Sequence, residues 1–159
     1  MATNLYNFND KYKDAYYELG SDLDFNGAEI TPLGDETHKF NGKFNGKGHI
    51  ISNFTITDKA YAGVFGVADV DAEIYDLGVE NAAIKSESDA VMGGIVGWNS
   101  GMIYKCYFTG EVTQTGTTQV YESKVGGIAG LNLGLIFSCY NRGSISGPVG
   151  NMLYCVGRS

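Results

Sequence analysis

From Ala15 to Phe25 the chain reads AYYELGSDLDF, with Tyr17, Leu19, Leu23 and Phe25 set between polar residues on either side of Gly20-Ser21. Alternation of period two predicts a strand, a turn and a second strand. Asn26-Gly27 predicts a further turn. Pro32, in Ile30-Thr31-Pro32-Leu33-Gly34, predicts an edge or corner of a short extended piece. A polar loop holding His38 follows over residues 35–39. Phe-Asn-Gly then occurs twice, at 40–42 and 44–46, which predicts two tight positive-φ bends four residues apart. The next strand is predicted from His49 to Ile56. Every apolar run is short and punctuated by Gly, and none holds the 3.6-residue spacing of a helix.

Beyond this the pattern repeats itself. VMGGIVGWNSGMIYKCYFTGEVT, residues 91–113, returns as VGGIAGLNLGLIFSCYNRGSIS, residues 125–146. Gly94 maps to Gly127, Asn99 to Asn132, Ile103 to Ile136 and Cys106 to Cys139, each at a shift of 33 residues. Ala62-Gly63-Val64-Phe65-Gly66 opens an earlier copy. A fixed shift without slippage is the mark of one supersecondary unit stacked on itself. Such a unit is too small to bury an apolar face alone, whereas stacked units form parallel ladders about 4.8 Å apart.

The predicted fold is therefore all-β, a right-handed parallel β-helix (a solenoid) of roughly four to six coils. Ile51, Ile74, Ile103 and Ile136 are expected to form one interior column. Phe54, Leu77, Cys106 and Cys139 are expected to form a second. The three-residue spacing between the columns implies a bend, since same-face residues of a flat strand lie two apart. Gly66, Gly97 and Gly130 are assigned to structural turns, and Asn99 and Asn132 to a stacked corner ladder that satisfies its own polar groups. Residues 1–14 are expected to be an N-terminal cap or disordered lead-in, and 15–159 a single domain. Loops near 85–90 and 116–123 absorb the variation in step length. Leu153 to Gly157 looks like the opening of another unit.

Composition narrows the function. The net charge is −7 and only two of the eleven basic residues are Arg, so the electrostatic footprint of a nucleic-acid partner is missing. No run approaches the 18 apolar residues of a membrane span. The start has neither a basic region nor an apolar run, so a cell-surface or secreted location is expected if the sequence is a fragment, and a cytoplasmic one if it is complete. The three cysteines lack metal-ligand spacing, and two of them fill an aliphatic slot of the repeat.

Candidate chemistry is sparse. Asp22 and Asp24 share one side of a strand and are the candidate calcium ligands; otherwise no cofactor is expected. Asp69, Asp71 and Glu73 repeat that spacing. Asn53, Asp76, Lys105 and Ser138 are expected to stack as a mixed column rather than an acidic catalytic cluster. Tyr107 and Tyr140 share one aromatic column, and Tyr75, Tyr104 and Phe137 another. Tyr104, Tyr107, Phe137 and Tyr140 are the candidate ligand-binding residues, for sugar faces or a partner protein, with inter-coil stacking as the plainer role.

The pattern GGI-x-G-x-N-x-G-x-I-x-x-C-Y, at 93–107 and 126–140, resembles the GLUG motif of bacterial surface proteins. Residues 16–25, 32–34 and 40–56 are similar to the segment that leads into such repeats. The GLUG-like repeats fall at about 61–90, 91–124 and 125–154. The resemblance implies a pectate-lyase-like β-helix scaffold, of the kind found in exported adhesins and beside the peptidase region of some immunoglobulin-cleaving metallopeptidases. The expected function is a non-enzymatic structural or adhesive module that binds a host ligand, a glycan or a neighbouring domain. Two alternatives stay open: a carbohydrate-active β-helix enzyme, and a small acidic intracellular inhibitor, phage-borne in origin. End-to-end self-association is expected through the open last coil.

Overall fold

The computed structural model describes residues 12–116 and 123–147, together with the backbone of the strand Tyr154–Cys155. The lead-in over residues 1–11, most of the 116–123 loop and all but two residues of the final repeat opening lie outside the described residues. Those described contain strands and no helix. They form four parallel sheets. Sheet I holds β5 (Tyr61–Ala62), β9 (Val91–Gly93), β13 (Lys124–Gly126) and β18 (Tyr154–Cys155). Sheet II holds β6 (Phe65–Ala68), β10 (Val96–Asn99) and β14 (Ala129–Asn132). Sheet III holds β1 (Tyr16–Glu18), β3 (Lys43–Asn45), β7 (Glu73–Tyr75), β11 (Met102–Tyr104) and β15 (Leu135–Phe137). Sheet IV holds β2 (Leu23–Glu29), β4 (Ile50–Thr57), β8 (Gly78–Ser86) and β12 (Tyr107–Gln114), with β16 (Tyr140–Asn141) and β17 (Ser144–Ser146) both on β12.

The chain passes through sheets I, II, III and IV and then begins again. It is a β-solenoid of about four turns. In the second coil the single bridges Leu33–Phe65 and Phe40–Ala68 stand in for a strand of sheet II.

The interior is built of columns. Ile74 is paired with Ile103 and Ile103 with Ile136. Below Ile74 the column continues through Phe44 to Tyr17, not through Ile51. Ile51 is a core residue of sheet IV, between Leu23 and Val79, and Phe54 is paired with Ala82. The displacement has a local cause. The corner after β3 holds Lys47 and Gly48, at φ 56° and 79°, two residues that the later coils lack. Ile51-Ser52-Asn53-Phe54 and Ile74-Tyr75-Asp76-Leu77 thus look alike in sequence yet sit on different faces.

The three-residue spacing from Ile to Leu or Cys comes from one left-handed residue. Asp76, Lys105 and Ser138 have φ of 52°, 52° and 53° and turn each coil from sheet III into sheet IV. Asn26, Asn53 and Asn81 play the same part inside sheet IV, at φ 55°, 58° and 51°. Asn26-Gly27 is therefore a bulge within β2 rather than a turn between strands, and Asn53 stacks on Asn81 rather than beneath Asp76.

Few of the corners rest on glycine. Gly66, Gly97 and Gly130 lie inside β6, β10 and β14, where they are not turns. A β-carbon on Gly66 would lie 2.2 Å from the Gly34 carbonyl oxygen, and one on Gly130 would lie 2.6 Å from the Met92 nitrogen. These glycines let sheet II approach the neighbouring backbone. Gly42 and Gly46 of the Phe-Asn-Gly pairs also serve close approach, with the positive φ displaced to Lys47 and Gly48. Gly94 has a different reason. Its missing side chain leaves room for the buried Phe108 ring, whose Cγ would be 2.3 Å away. Gly110 and Gly143 make space for the same ring. One large buried side chain thus takes the space that three glycines leave.

At the corner after sheet II, Asn99 is wholly buried. Its Nδ2 donates to Asn132 Oδ1 at 2.7 Å and to the Gly101 carbonyl at 3.2 Å, while its Oδ1 accepts from Gly101 N at 3.1 Å. A second buried polar group joins the end of β12 to Ser123 and Asp89. Gln114 Nε2 donates to Ser123 Oγ at 2.8 Å, and Ser123 donates to Asp89.

Three substitutions test this packing. Asn99→Ala removes three hydrogen bonds and orphans buried backbone groups, and is expected to cost about 2–3 kcal/mol in urea unfolding. Asn132→Ala, at the exposed end of the ladder, is expected to cost about 1 kcal/mol or less. Gly94→Ala is expected to cost at least as much as Asn99→Ala, because both Phe108 and the Gly127 carbonyl block the new methyl group.

Candidate functional site

Inward residues are consumed by the core, so any site lies on the outward rows. On sheet III, Tyr75, Tyr104 and Phe137 form a continuous stack, with centroids 4.9 and 5.1 Å apart and planes within 3°. On sheet IV, Tyr107 and Tyr140 stack at 5.1 Å and 5°. Parallel in-register strands place equal side chains about 4.8 Å apart, close to aromatic contact distance, so rings in one row lie flat upon each other.

That geometry decides what the four candidate binding residues offer. Tyr104 has a ring on each face. Tyr107 has Tyr140 on one side and lies over Gly78, where a β-carbon would meet its ring at 2.5 Å. The Arg142 guanidinium sits 5.2 Å from the Tyr140 ring centre. Within the rows the facing sides of the rings are spent on stacking, while Phe137 at the end of its row has a ring partner on one face. A sugar needs a free face to stack on.

Two tyrosine hydroxyls are tied down as well. Tyr107 Oη donates to Glu80 Oε1 at 2.7 Å. Burial, together with that carboxylate, pushes its phenol up to about 12. Tyr16 donates to Glu18, which raises its phenol to about 12 also.

Asp22 and Asp24 face outward from the first coil, each engaged by the coil above. Asp22 Oδ1 lies 3.1 Å from His49 Nδ1 and accepts from Ile50 N. Asp24 Oδ1 accepts from Asn53 Nδ2 at 2.9 Å and from Asn26 N at 2.8 Å, and these bonds lower its pKa. Asn81 Nδ2 continues the row by donating to Asn53 Oδ1. Both carboxylates thus serve an amide and backbone ladder between coils. Glu73 pairs with Lys43 at 2.8 Å, and Asp69 caps Val70 N. Among the described residues no group of three or more His, Cys, Asp or Glu is gathered to hold a metal ion. Cys106 and Cys139 are free, buried thiols in adjacent coils. The neighbouring Cys139 thiol and burial push the Cys106 thiol well above its ordinary value.

The concave feature was not among the sequence expectations. Where Asn26, Asn53 and Asn81 bend sheet IV, two open clefts of about 350 and 360 Å³ run end to end and share Asn81 and Ala83. Their floor is small, with Ala82, Gly110 and Gly143. Thr55, Thr109, Glu111 and Arg142 supply polar edges. The signal was present in the recurrence of Asn at 26, 53 and 81, but these asparagines precede the clear repeat and carry no motif around them.

The molecule is a β-solenoid that carries a GLUG motif, since that family's model matches residues 90–113. The chain is also 35% identical over 89 residues to an Evansella cellulosilytica protein provisionally named a Gly-rich membrane protein. That match takes in 54% of this chain and 10% of the relative. Among solved structures it is similar to a Bacteroides ovatus protein provisionally named an immunoglobulin A1 protease, with a TM-score of 0.63 and 26% identity. That likeness spans 92% of this chain and 56% of the other. The chain therefore spans about a tenth of one relative and little more than half of the other. No helix among the described residues is long and apolar enough to cross a membrane.

The Tyr107 environment gives a direct test. Its pKa is higher folded than the ordinary phenol value near 10, so its contribution is complete below pH 10 and is lost as pH rises through about 12. Gly78→Ala should lift the ring off sheet IV. In an absorbance titration near 295 nm, one tyrosine should then move from about pH 12 toward 10. Tyr107→Phe should remove one of the two tyrosines that titrate near pH 12 and leave Tyr16, and an unchanged titration in both variants would refute the arrangement.

Proposed function

We propose that the chain is a non-enzymatic structural and adhesive module of a bacterial surface protein, and that the bend of sheet IV takes a glycan. The observation that carries the reading is the bend itself. Side-chain amides of Asn53 and Asn81, hydroxyls of Thr55 and Thr109 and the charges of Glu111 and Arg142 line two adjoining open clefts that share Asn81 and Ala83. Groups of this kind bind sugar hydroxyls through hydrogen bonds, and their spacing is set by the ladder rather than by flexible loops. The clefts lie open to solvent, as an extended chain of sugars requires.

Three similarities support a surface origin: the GLUG motif, the relative named a membrane protein and the neighbour named an immunoglobulin A1 protease. The carboxylates support a non-catalytic role. Asp22, Asp24, Glu73 and Glu80 each engage a neighbouring coil, and no two of them converge on an open space with a free acid and a free base.

A glycan array probed with the 159-residue chain should give binding that Asn81→Gly weakens at least tenfold, since glycine keeps the left-handed backbone while removing the amide and its bond to Asn53. Incubation with the bound glycan, and with immunoglobulin A1, should leave both uncleaved. Turnover of either would replace the adhesive reading with a catalytic one, and an array without a specific hit would remove the glycan.

A further inference from the structure

Cys106 and Cys139 occupy the corner between sheets III and IV in adjacent coils. The register places them opposite each other from both sides, because Tyr104 is paired with Phe137 before them and Tyr107 with Tyr140 after them. Left-handed Lys105 and Ser138 precede them at φ 52° and 53°. The two thiols are set alike. Cys106 Sγ lies 3.3 Å from the Tyr104 carbonyl oxygen and 3.7 Å from that of Ile74. Cys139 Sγ lies 3.3 Å from the Phe137 carbonyl oxygen and 3.8 Å from that of Ile103. Equivalent residues one ladder step apart, about 4.8 Å, fall within the roughly 4.4–6.8 Å that a disulfide spans between α-carbons. Rotation about χ1 then brings the sulfurs together.

Both thiols are free and buried. Cys155 does not compete, since its backbone lies on sheet I, paired with Gly126. The stacked pair is also unequal. Contact with Cys106 lowers the Cys139 thiol below its ordinary value, against the opposing effect of burial, while the same contact and burial raise Cys106. Cys139 is therefore the first to ionise, and the thiolate is the attacking form.

We propose that Cys106 and Cys139 are a cross-linking site, joined as a disulfide that staples adjacent coils when the chain folds in the presence of a small-molecule disulfide as oxidant. The Cys139 thiolate attacks one sulfur of the oxidant, breaks its S–S bond and releases one thiolate, which takes a proton from water. Cys106, after losing its proton to water, attacks the Cys139 sulfur of the mixed disulfide and displaces the second thiolate. The protein loses two hydrogens, and the oxidant is reduced by two electrons to two thiols. The bond spans one 33-residue repeat, so it restricts the unfolded chain and fixes the register of the coils it joins. Because the site is buried, exchange takes place as the coils close or when they open locally.

The test uses the 159-residue chain in a Cys155→Ser background, equilibrated with reduced and oxidised glutathione in native buffer and, separately, in denaturing guanidinium. Acid-quenched samples are scored by mass for the loss of two hydrogens and by peptide mapping for the link from 106 to 139. The expected thiol–disulfide equilibrium constant is at least tenfold greater in native buffer than in guanidinium. By linkage, that tenfold factor is an equal gain in folding stability, about 1.4 kcal/mol. A Cys139→Ala, Ser138→Cys chain, with its thiol one residue away on the exposed side of the corner, should show no such gain. Two free thiols at every glutathione ratio, an equal or smaller constant in native buffer, or the same gain in the displaced variant would overturn the proposal.

Discussion

Each coil of this protein must land on the one before it without slipping by a single residue. A slip of one reverses every side chain between interior and surface, because strand side chains alternate. Parallel pairing holds Ile74, Ile103 and Ile136 in one line, and the same pairing sets Tyr75, Tyr104 and Phe137 in another. The register therefore generates both the core and the surface rows. It is kept by residues of two kinds. Left-handed Asp76, Lys105 and Ser138 turn each coil at the same point, and glycines such as Gly66, Gly97 and Gly130 let adjacent backbones close together.

The same constraint limits what the surface can do. Repetition at strand spacing makes stacked rings efficient at joining coils and poor at receiving a ligand, since their faces are already covered. Carboxylates in rows behave likewise: Asp24 and Asn53 form part of a ladder between coils. Where the repeat is broken, space opens. The additional left-handed residue in the early strands of sheet IV produces the bend, and Gly110 and Gly143 keep its floor low in the later ones. Function is sought at that irregularity rather than along the regular rows.

Most of the architecture was legible because the shift between 91–113 and 125–146 never varies, and a constant shift demands stacked, in-register coils. The early coils were harder to read. Lys47 and Gly48 add two residues at one corner, so Ile51 was matched to Ile74 by a local likeness that the three-dimensional register does not honour. Conformational freedom alone points to glycine as a corner residue, whereas most glycines here answer to the distance between backbones, which depends on contacts remote in sequence. The aromatic rows were visible as rows. Their interplanar contact, and with it the loss of free ring faces, follows only once strand spacing is set against ring thickness. The cleft was hidden, because concavity arises from the bend that Asn26, Asn53 and Asn81 share across three coils.

The central claim is that successive coils stack with these partners and no others. Nuclear Overhauser contacts in a sample labelled only at isoleucine methyl groups test it most directly. Cross-peaks from Ile103 to both Ile74 and Ile136 are predicted, as the two strongest inter-residue signals of Ile103. Absence of both, with Ile103 contacting other isoleucines instead, would contradict the account.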